Sequence, residues 1–263
     1  KSLPYPKVNR KEFFSDLDSS SFSNAIRKYE KQRSRSSVLK HNIKERLIFW
    51  RRVANTTQGN LKSIFQFVRY NSIKDIKERN VILFAPYTIV DIGENATIFK
   101  QGISVIGAKT RFKKSRLETR FCVDDGGTVH FGPGTIIGYG SDIEVFKGAV
   151  LDFKGHGGSN MGTTIICGNH IELGDGVIIG RNVTIRDNNG SHYINRLGYK
   201  NSSPVIIGRK VWLCEQCVIM SGVKIGDGSI VGAKSFVIKN VPANTLVSGH
   251  PAEVVDEDVL WKY

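Results

Sequence analysis

The sequence has few cysteines and no long apolar run, and these shortages exclude several classes of protein. The four cysteines are Cys122, Cys167, Cys214 and Cys217. A lone Cys-x-x-Cys pair lacks the second ligand pair that a zinc site needs. We therefore expect buried thiols in a reducing compartment, with Cys167 and Cys214 in the apolar register of the repeat described below. No apolar run approaches the roughly 20 residues that cross a bilayer. The first residues also lack the pattern of a signal peptide, so we expect a cytoplasmic protein.

Negative charge is scarce at one end of the chain. Residues 1–80 hold 19 Lys and Arg against 7 Asp and Glu, whereas the remaining residues hold 19 and 17. Apolar spacing predicts helices at about 10–32, 37–54 and 60–70. The third helix places four apolar residues on one face: Leu61, Ile64, Phe65 and Val68.

We therefore predict a basic α-helical region over residues 1–80. It either caps the end of the next domain or docks on an anionic membrane or another polyanion, which would place the protein at the inner face of the membrane. No recognition motif for nucleic acid accompanies the charge, so we expect no nucleic-acid partner.

From about Val81 the pattern changes to a six-residue repeat. One run of apolar residues at this spacing comprises Met161, Cys167, Leu173, Ile179 and Ile185. A second run comprises Ile207, Leu213, Ile219, Ile225, Val231 and Val237. An earlier trace comprises Phe131, Ile137 and Ile143, and glycine often follows the apolar residue.

A period of six fits neither a helix nor a long strand, but it fits a short strand followed by a bend. Three such units close a triangular coil of roughly 18 residues. Ile207 should therefore stack on Ile225 and Leu213 on Val231. The following glycine suits a corner that needs permissive backbone angles. The alternative, a β-sandwich, would show alternation at period two and irregular turn spacing. We predict a mainly β protein, a parallel β-helix over residues 81–255 with a tail over 256–263.

The register breaks once, between Ile185 and Ile207, where 16 extra residues are inserted. The segment 186–204 is polar and must project as a loop, and loops on rigid scaffolds commonly carry function. It contains His192, and histidine is the natural choice for a general base that works near neutral pH. Asp187 either orients the His192 ring or closes an Asx turn at the start of the loop.

The segment from Ser202 to Val255, with VIIGRKVWLCEQCVIMSGVKIGDGSIVGAKSFVIKNVP at its centre, resembles the C-terminal half of hexapeptide-repeat O-acetyltransferases. The branch that it resembles includes galactoside, maltose and surface-polysaccharide acetyltransferases. The resemblance implies a left-handed β-helix, a homotrimer with active sites between subunits, and acetyl-CoA as donor. It places His192 where the family has its catalytic base.

The resemblance also implies a donor site. Trp212 stands at the family's Val-Trp position, near the cofactor and acceptor, and the backbone N–H of Glu215 stands where the family stabilises the thioester oxygen. Ala233 matches a backbone contact to the pantetheine arm. Ile238 and Lys239 match a pair near the CoA phosphates. Lys234 replaces a family glycine and adds a further candidate phosphate contact.

The expected reaction is O-acetylation of a bacterial surface polysaccharide, such as capsule or lipopolysaccharide, or of its precursor. Tyr193, Arg196 and His170 are candidate acceptor-binding residues. N-acetylation of an amino-sugar nucleotide and a non-enzymatic scaffold are the alternatives. The family also includes zinc carbonic anhydrases, which need a close pair of histidines, and the absence of such a pair here predicts that no metal is bound.

Overall fold

The computed structural model describes residues 35–109, 112 and 114–262, with side chains in the first helix from Lys44 onward. The helix predicted at 10–32 lies outside the described residues. The other two predicted helices are confirmed: α1 is Arg35–Thr57 and α2 is Leu61–Tyr70. A short α3, Ile73–Glu78, was not anticipated, although Ser72 and Asp75 form a capping box at its start. None of the described helices is both long and apolar enough to cross a bilayer.

Helices α2 and α3 belong to the same compact unit as the strands, because the chain divides between Arg52 and Val53. The apolar face predicted for α2 is exposed: Leu61 is 82 % and Phe65 62 % exposed. The buried residues of α2 are Ser63, Gln66 and Phe67. The Gln66 amide donates to the carbonyl of Thr88 at 3.1 Å, so this helix turns its hydrogen-bonding side toward the first coil.

In the part of the chain that the structure describes, 22 strands form three sheets. Sheet A contains β1 (Val81–Phe84), β4 (Ile103–Ala108), β7 (Ile136–Gly138), β10 (Gly158–Ser159), β13 (Ile178–Ile179), β16 (Trp212–Leu213), β19 (Ile230–Val231), β21 (Leu246–Gly249) and the antiparallel β22 (Ala252–Asp256). Sheet B contains β2 (Thr88–Ile92), β5 (Thr119–Val123), β8 (Asp142–Val145), β11 (Thr164–Cys167), β14 (Thr184–Arg186), β17 (Val218–Ile219) and β20 (Phe236–Val237). Sheet C contains β3 (Thr97–Lys100), β6 (Thr128–Phe131), β9 (Val150–Phe153), β12 (His170–Leu173), β15 (Val205–Ile207) and β18 (Lys224–Ile225). From β1 to β17, each strand pairs in parallel with the strand three places later in the chain, whereas β21 pairs with β19.

This arrangement is a parallel β-helix whose apolar side chains fill the space enclosed by the three sheets. Ile207 pairs with Ile225 and Leu213 with Val231, as the predicted coil length requires. The chain passes from β14 in sheet B to β15 in sheet C through the inserted loop. Earlier coils are longer than predicted, since pairing of β6 with β9 sets His130 opposite Asp152, 22 residues later.

The structure corrects the explanation given for the repeat glycines. The glycines that directly follow the apolar residue have no positive φ, except Gly162. A Cβ on Gly226 would instead lie 2.4 Å from the backbone nitrogen of Ala243 in the next coil. Positive φ occurs two residues later, for example at Gly228. Glycine at the first position is therefore required by the close stacking of coils.

Two residues predicted to point into the core, Met161 and Cys214, do not do so. Met161 lies in a turn and is partly exposed, so it is not part of the core. Cys217, not Cys214, occupies the inward position, and burial raises the pKa of the Cys217 thiol to about 12. All four cysteines are free, but only Cys167 and Cys217 are buried as predicted, whereas Cys122 and Cys214 are partly exposed.

Candidate functional site

The inserted loop begins at the edge between sheets B and C, and hydrogen bonds of Asp187 fix the start, or root, of this loop. The Asp187 side chain is fully buried and accepts from the backbone nitrogens of Gly168 and Asn169, at 2.7 and 2.9 Å. The Asn188 amide donates to it at 2.8 Å. The described contacts of this carboxylate do not include His192, so the geometry favours a structural role for Asp187 over orientation of the ring.

Beyond its root the loop forms a short hairpin. Asn188 and Ser202 form an antiparallel bridge, and the Asn189 amide donates to the hydroxyl of Tyr199 at 2.7 Å. The tip, residues 191–198, is exposed. It carries His192, Tyr193 and Arg196, so the structure brings these three predicted site residues together on one projecting segment.

The tip also carries apolar side chains in full contact with solvent. Tyr193 is 75 %, Ile194 61 % and Leu197 102 % exposed. Exposed apolar side chains of this kind make the loop tip a candidate contact surface.

Glu215 and Ala233 lie one above the other at the edge between sheets A and B. Neither backbone N–H donates a hydrogen bond to any part of the chain that the structure describes. Arg181, one coil earlier at the same edge, has an N–H that is equally available. The edge thus presents a row of unpaired N–H donors suited to carbonyl oxygens. Only the resemblance to hexapeptide-repeat O-acetyltransferases distinguishes Glu215 and Ala233 from Arg181.

The predicted phosphate contacts are cationic and exposed. Lys239 forms an ion pair with Glu253, Nζ to Oε1 2.8 Å, and both side chains are more than 60 % exposed. Such a pair contributes little and can exchange for a phosphate. Lys234 has a φ of 60° and donates its N–H to the carbonyl of Glu215 at 2.9 Å, leaving its ammonium exposed. Ile238 is 48 % exposed beside Lys239.

Trp212 lies on sheet A, directly after the edge between sheets C and A, and is 40 % exposed. The loop with His192 starts at a different edge, the one between sheets B and C. Within one chain, the width of sheet C separates the root of the loop from Trp212.

Sequence reasoning missed a network of charged side chains on the outer surface of sheet C. The Asp152 carboxylate, in a residue only 8 % exposed, accepts from His130 on one oxygen and from His170 on the other, the latter at 2.9 Å. Burial alone would raise the pKa of Asp152. Hydrogen bonds from His170 and His130, with the charge of Lys154, outweigh this and hold that pKa below its ordinary value. His130 and Asp152 lie one coil apart, and this separation is the signal in the sequence. The predicted coil of roughly 18 residues is shorter than the separation, so it does not bring the two residues together.

Three side chains of this network, Asp152, His170 and Glu172, lie close enough together to hold a metal ion. The ammonium of Lys154 already stands 3.1 Å from Glu172 and 3.7 Å from Asp152. The ammonium of Lys154 is therefore already ion-paired with both carboxylates that a metal ion would use.

Comparison with known proteins agrees with this architecture. Residues 204–239 match the family model for the bacterial transferase hexapeptide of six repeats. The chain carries the bacterial transferase hexapeptide repeat. The match covers six of the short strands, β15 to β20, and both Glu215 and Ala233.

Among curated relatives of this chain is galactoside O-acetyltransferase of Escherichia coli (strain K12), 33 % identical over 127 residues, which are 48 % of this chain and 59 % of the relative. Another is the putative lipopolysaccharide biosynthesis O-acetyl transferase WbbJ of the same strain, 28 % identical over 155 residues, which are 53 % of this chain and 79 % of the relative. The chain thus spans less than two thirds of the first of these proteins.

A solved structure, the polySia-specific acetyltransferase NeuO, aligns with a TM-score of 0.54 at 22 % identity. The alignment covers 67 % of this chain and 89 % of NeuO. At 22 % identity, the similarity to NeuO is evidence for the fold alone. Together with the hexapeptide match it confirms the predicted left-handed parallel β-helix with an N-terminal helical region.

Proposed function

We propose that this chain is an acetyl-CoA-dependent O-acetyltransferase that modifies a hydroxyl of a bacterial surface polysaccharide or of its precursor. One observation carries the proposal: the hexapeptide β-helix is interrupted by an ordered 16-residue insertion that presents His192 at an exposed tip. The similarity to O-acetyltransferases of galactosides and lipopolysaccharide supports the reaction and the class of acceptor.

His192 is the general base in this proposal. A neutral imidazole removes the proton of the sugar hydroxyl as the oxygen attacks the thioester carbonyl, and the resulting imidazolium then protonates the departing thiolate. Transfer is direct and needs no acyl-enzyme. The described cysteines support this, because burial raises the pKa of the thiols of Cys167, Cys214 and Cys217 and leaves them weak nucleophiles.

The donor binds along the edge between sheets A and B. The unpaired N–H of Glu215 stabilises the developing oxyanion, and the N–H of Ala233 binds a carbonyl of the pantetheine arm. Lys234 and Lys239 supply positive charge for the phosphates, with Ile238 as an apolar contact beside them. Trp212 packs against the reacting end.

The acceptor binds under the loop. Tyr193 and Arg196 at the tip offer a ring face and a fork of donors to a sugar. His170 keeps one ring nitrogen beyond its bond to Asp152, so it can contact a hydroxyl at the surface of sheet C.

The active form is a homotrimer in this proposal. The loop and Trp212 begin at different edges of the prism, and the loop tip exposes Tyr193, Ile194 and Leu197 in a single chain. Packing the tip of one subunit against the Trp212 edge of the next covers these side chains and completes the site.

The basic helical region adds a contact with anionic lipid at the cytoplasmic membrane surface. Helix α1 exposes Lys44, Arg46 and Arg51 together with Leu47 and Trp50, a mixture typical of surface-bound helices. Sedimentation with phosphatidylglycerol vesicles, lost in high salt and absent with phosphatidylcholine alone, is the expected result. Equal binding to both vesicles would contradict it.

The reaction is tested by incubating the purified chain with acetyl-CoA and a panel of galactosides, polysialic acid and lipopolysaccharide precursors. We expect CoA release that depends on one acceptor class and a product whose acetyl group mild alkali removes. An alkali-stable product identifies an amide and contradicts O-transfer, and acceptor-independent CoA release contradicts the proposal as a whole.

A further inference from the structure

The segment 257–262 is held against the edge between sheets C and A. The N–H of Val259 donates to the carbonyl of Asn244 at 2.8 Å, and the indole N–H of Trp261 donates to the carbonyl of Lys210 at 2.9 Å. Leu260, between them, is 91 % exposed. The segment therefore directs Trp261 onto the β-helix while the neighbouring side chain stays in solvent.

Trp261 reaches the face of the domain that carries Trp212. The centroids of the two indole rings lie 5.9 Å apart with their planes tilted by 47°. Trp212 points outward from sheet A, so this pair is not part of the β-helix core. Two large, partly exposed aromatic rings at one edge offer an apolar platform that folding of the β-helix does not require.

A cavity of about 360 Å³ opens beside Trp261 and is lined by Lys210, Asn244, Asp175 and the Arg209–Asp227 pair. Its size lies in the range of small-molecule sites. One wall is the indole, and the other walls offer an amide, an ammonium and carboxylate oxygens.

Most charges of this lining are compensated within the chain. The Arg209 guanidinium binds Asp227 through two nitrogens, at 2.9 and 2.7 Å, and Asp175 accepts from His156 at 2.8 Å. The lining holds two cations, Arg209 and Lys210, against two carboxylates, Asp175 and Asp227, so it has no excess positive charge that would favour a phosphate or carboxylate. A ligand without charge but with many hydroxyl groups would bond to the same groups without breaking them.

We propose that Trp261, with Asn244 and Lys210, forms a subsite for an uncharged pyranose ring of the acceptor glycan, and that Trp212 packs against the Trp261 ring from outside the cavity. The C–H groups of one sugar face pack on the indole, whose π-face is negative, and the hydroxyls bond to the polar lining. The identity of the ligand as the acceptor rests on the proposed function. The subsite itself rests on the cavity and the paired rings.

Tryptophan fluorescence tests this subsite in a Trp50→Phe background, which leaves Trp212 and Trp261 as the emitting residues. The full chain is titrated, without acetyl-CoA, with methyl β-galactoside, N-acetylglucosamine oligomers, polysialic acid oligomers and CoA alone. We expect a saturable change with a neutral sugar, and any change that CoA causes through Trp212 should persist in Trp261→Ala. In Trp261→Ala we expect sugar affinity to fall about tenfold or more, with partial recovery in Trp261→Phe. Val255→Ala, at an apolar side chain that is 63 % exposed and does not line this cavity, is the control and should bind as the parent does.

Kinetic measurements then test the proposed subsite independently of the proposed acetyltransferase function. In Trp261→Ala, KM for the acceptor should rise while KM for acetyl-CoA stays unchanged. Loss of the CoA-dependent change in Trp261→Ala, or unaltered sugar affinity in that variant, overturns the subsite. So does the lack of any saturable change with neutral sugars up to about 50 mM, beyond the range of weak specific binding. Sugar binding without acetyl transfer would instead leave the subsite standing and contradict the proposed function.

Discussion

Single residues of this protein take their roles from the register of the coils. His130, Asp152 and His170 are far apart in sequence, yet parallel pairing of β6, β9 and β12 brings them into one hydrogen-bonded group. No sequence motif contains all three residues, because the number of residues per coil is not constant along sheet C. Thr128 pairs with Val150, and Val150 pairs with His170 at a shorter offset. The sequence predicts His170 as a site residue but not its partner.

Replacing Asp152 by Asn tests this group. The variant leaves the donors of His130 and His170 poorly matched, so the free energy of unfolding at pH 7 should fall by about 1–3 kcal/mol, as for other buried hydrogen-bonded charges. Urea unfolding measures this change, and Asp91→Asn, at an exposed carboxylate of β2, is the control. An unchanged midpoint in Asp152→Asn would contradict the structural role.

The same group predicts a dependence on pH. Because the pKa of Asp152 is lower in the folded chain, its contribution is fully present above the pKa of the unfolded state, near 4. It is lost as pH falls through the lower pKa of the folded state. Between pH 5 and 3 the parent should therefore lose more stability than Asp152→Asn, and parallel curves for the two would contradict this.

At the scale of the elements, the repeat is governed by the distance between coils. The six-residue period correctly predicts the loop and the stacking within residues 207–237, but neither the longer early coils nor the position of Met161. It does not explain the glycines, because a sequence pattern cannot distinguish a close approach from a positive φ. Nor does it predict which face of α2 is buried, since Gln66 and Asn71 bond there to backbone groups of the first coil.

Two glycine variants separate these causes. Gly226→Ala places a Cβ against the backbone of Ala243 at ordinary backbone angles, and we expect a loss of about 3 kcal/mol or more. Gly148 has a φ of 73° with open space around it, so Gly148→Ala should cost only about 1–2 kcal/mol. Chemical denaturation of both variants gives the comparison. A larger loss in Gly148→Ala would show that backbone angles dominate.

At the scale of the whole molecule, the site is divided between separate edges of one prism. The sequence locates the loop and the hexapeptide motif but gives no sign of Trp261, because an isolated tryptophan in an acidic tail has no periodic context. The structure shows that two hydrogen bonds of the segment 257–262 hold Trp261 against the β-helix.

The proposed assembly predicts a solution mass three times that of the 29.3 kDa chain. Exposed apolar side chains at the loop tip should hold the subunits together, so Leu197→Asp should weaken assembly while the folded β-helix persists. Sedimentation equilibrium and circular dichroism report the two properties. A monomeric parent with full acetyltransferase activity would contradict the shared site.

The most direct measurement of the central claim compares His192→Ala with Ser191→Ala, its exposed neighbour in the same loop, by CoA release with the preferred acceptor. We expect kcat to fall about 10²–10⁴-fold in His192→Ala, as for removal of a general base. KM for acetyl-CoA should stay nearly unchanged, and Ser191→Ala should behave like the parent. Turnover near that of the parent in His192→Ala would show that the chemistry does not depend on the break in the repeat.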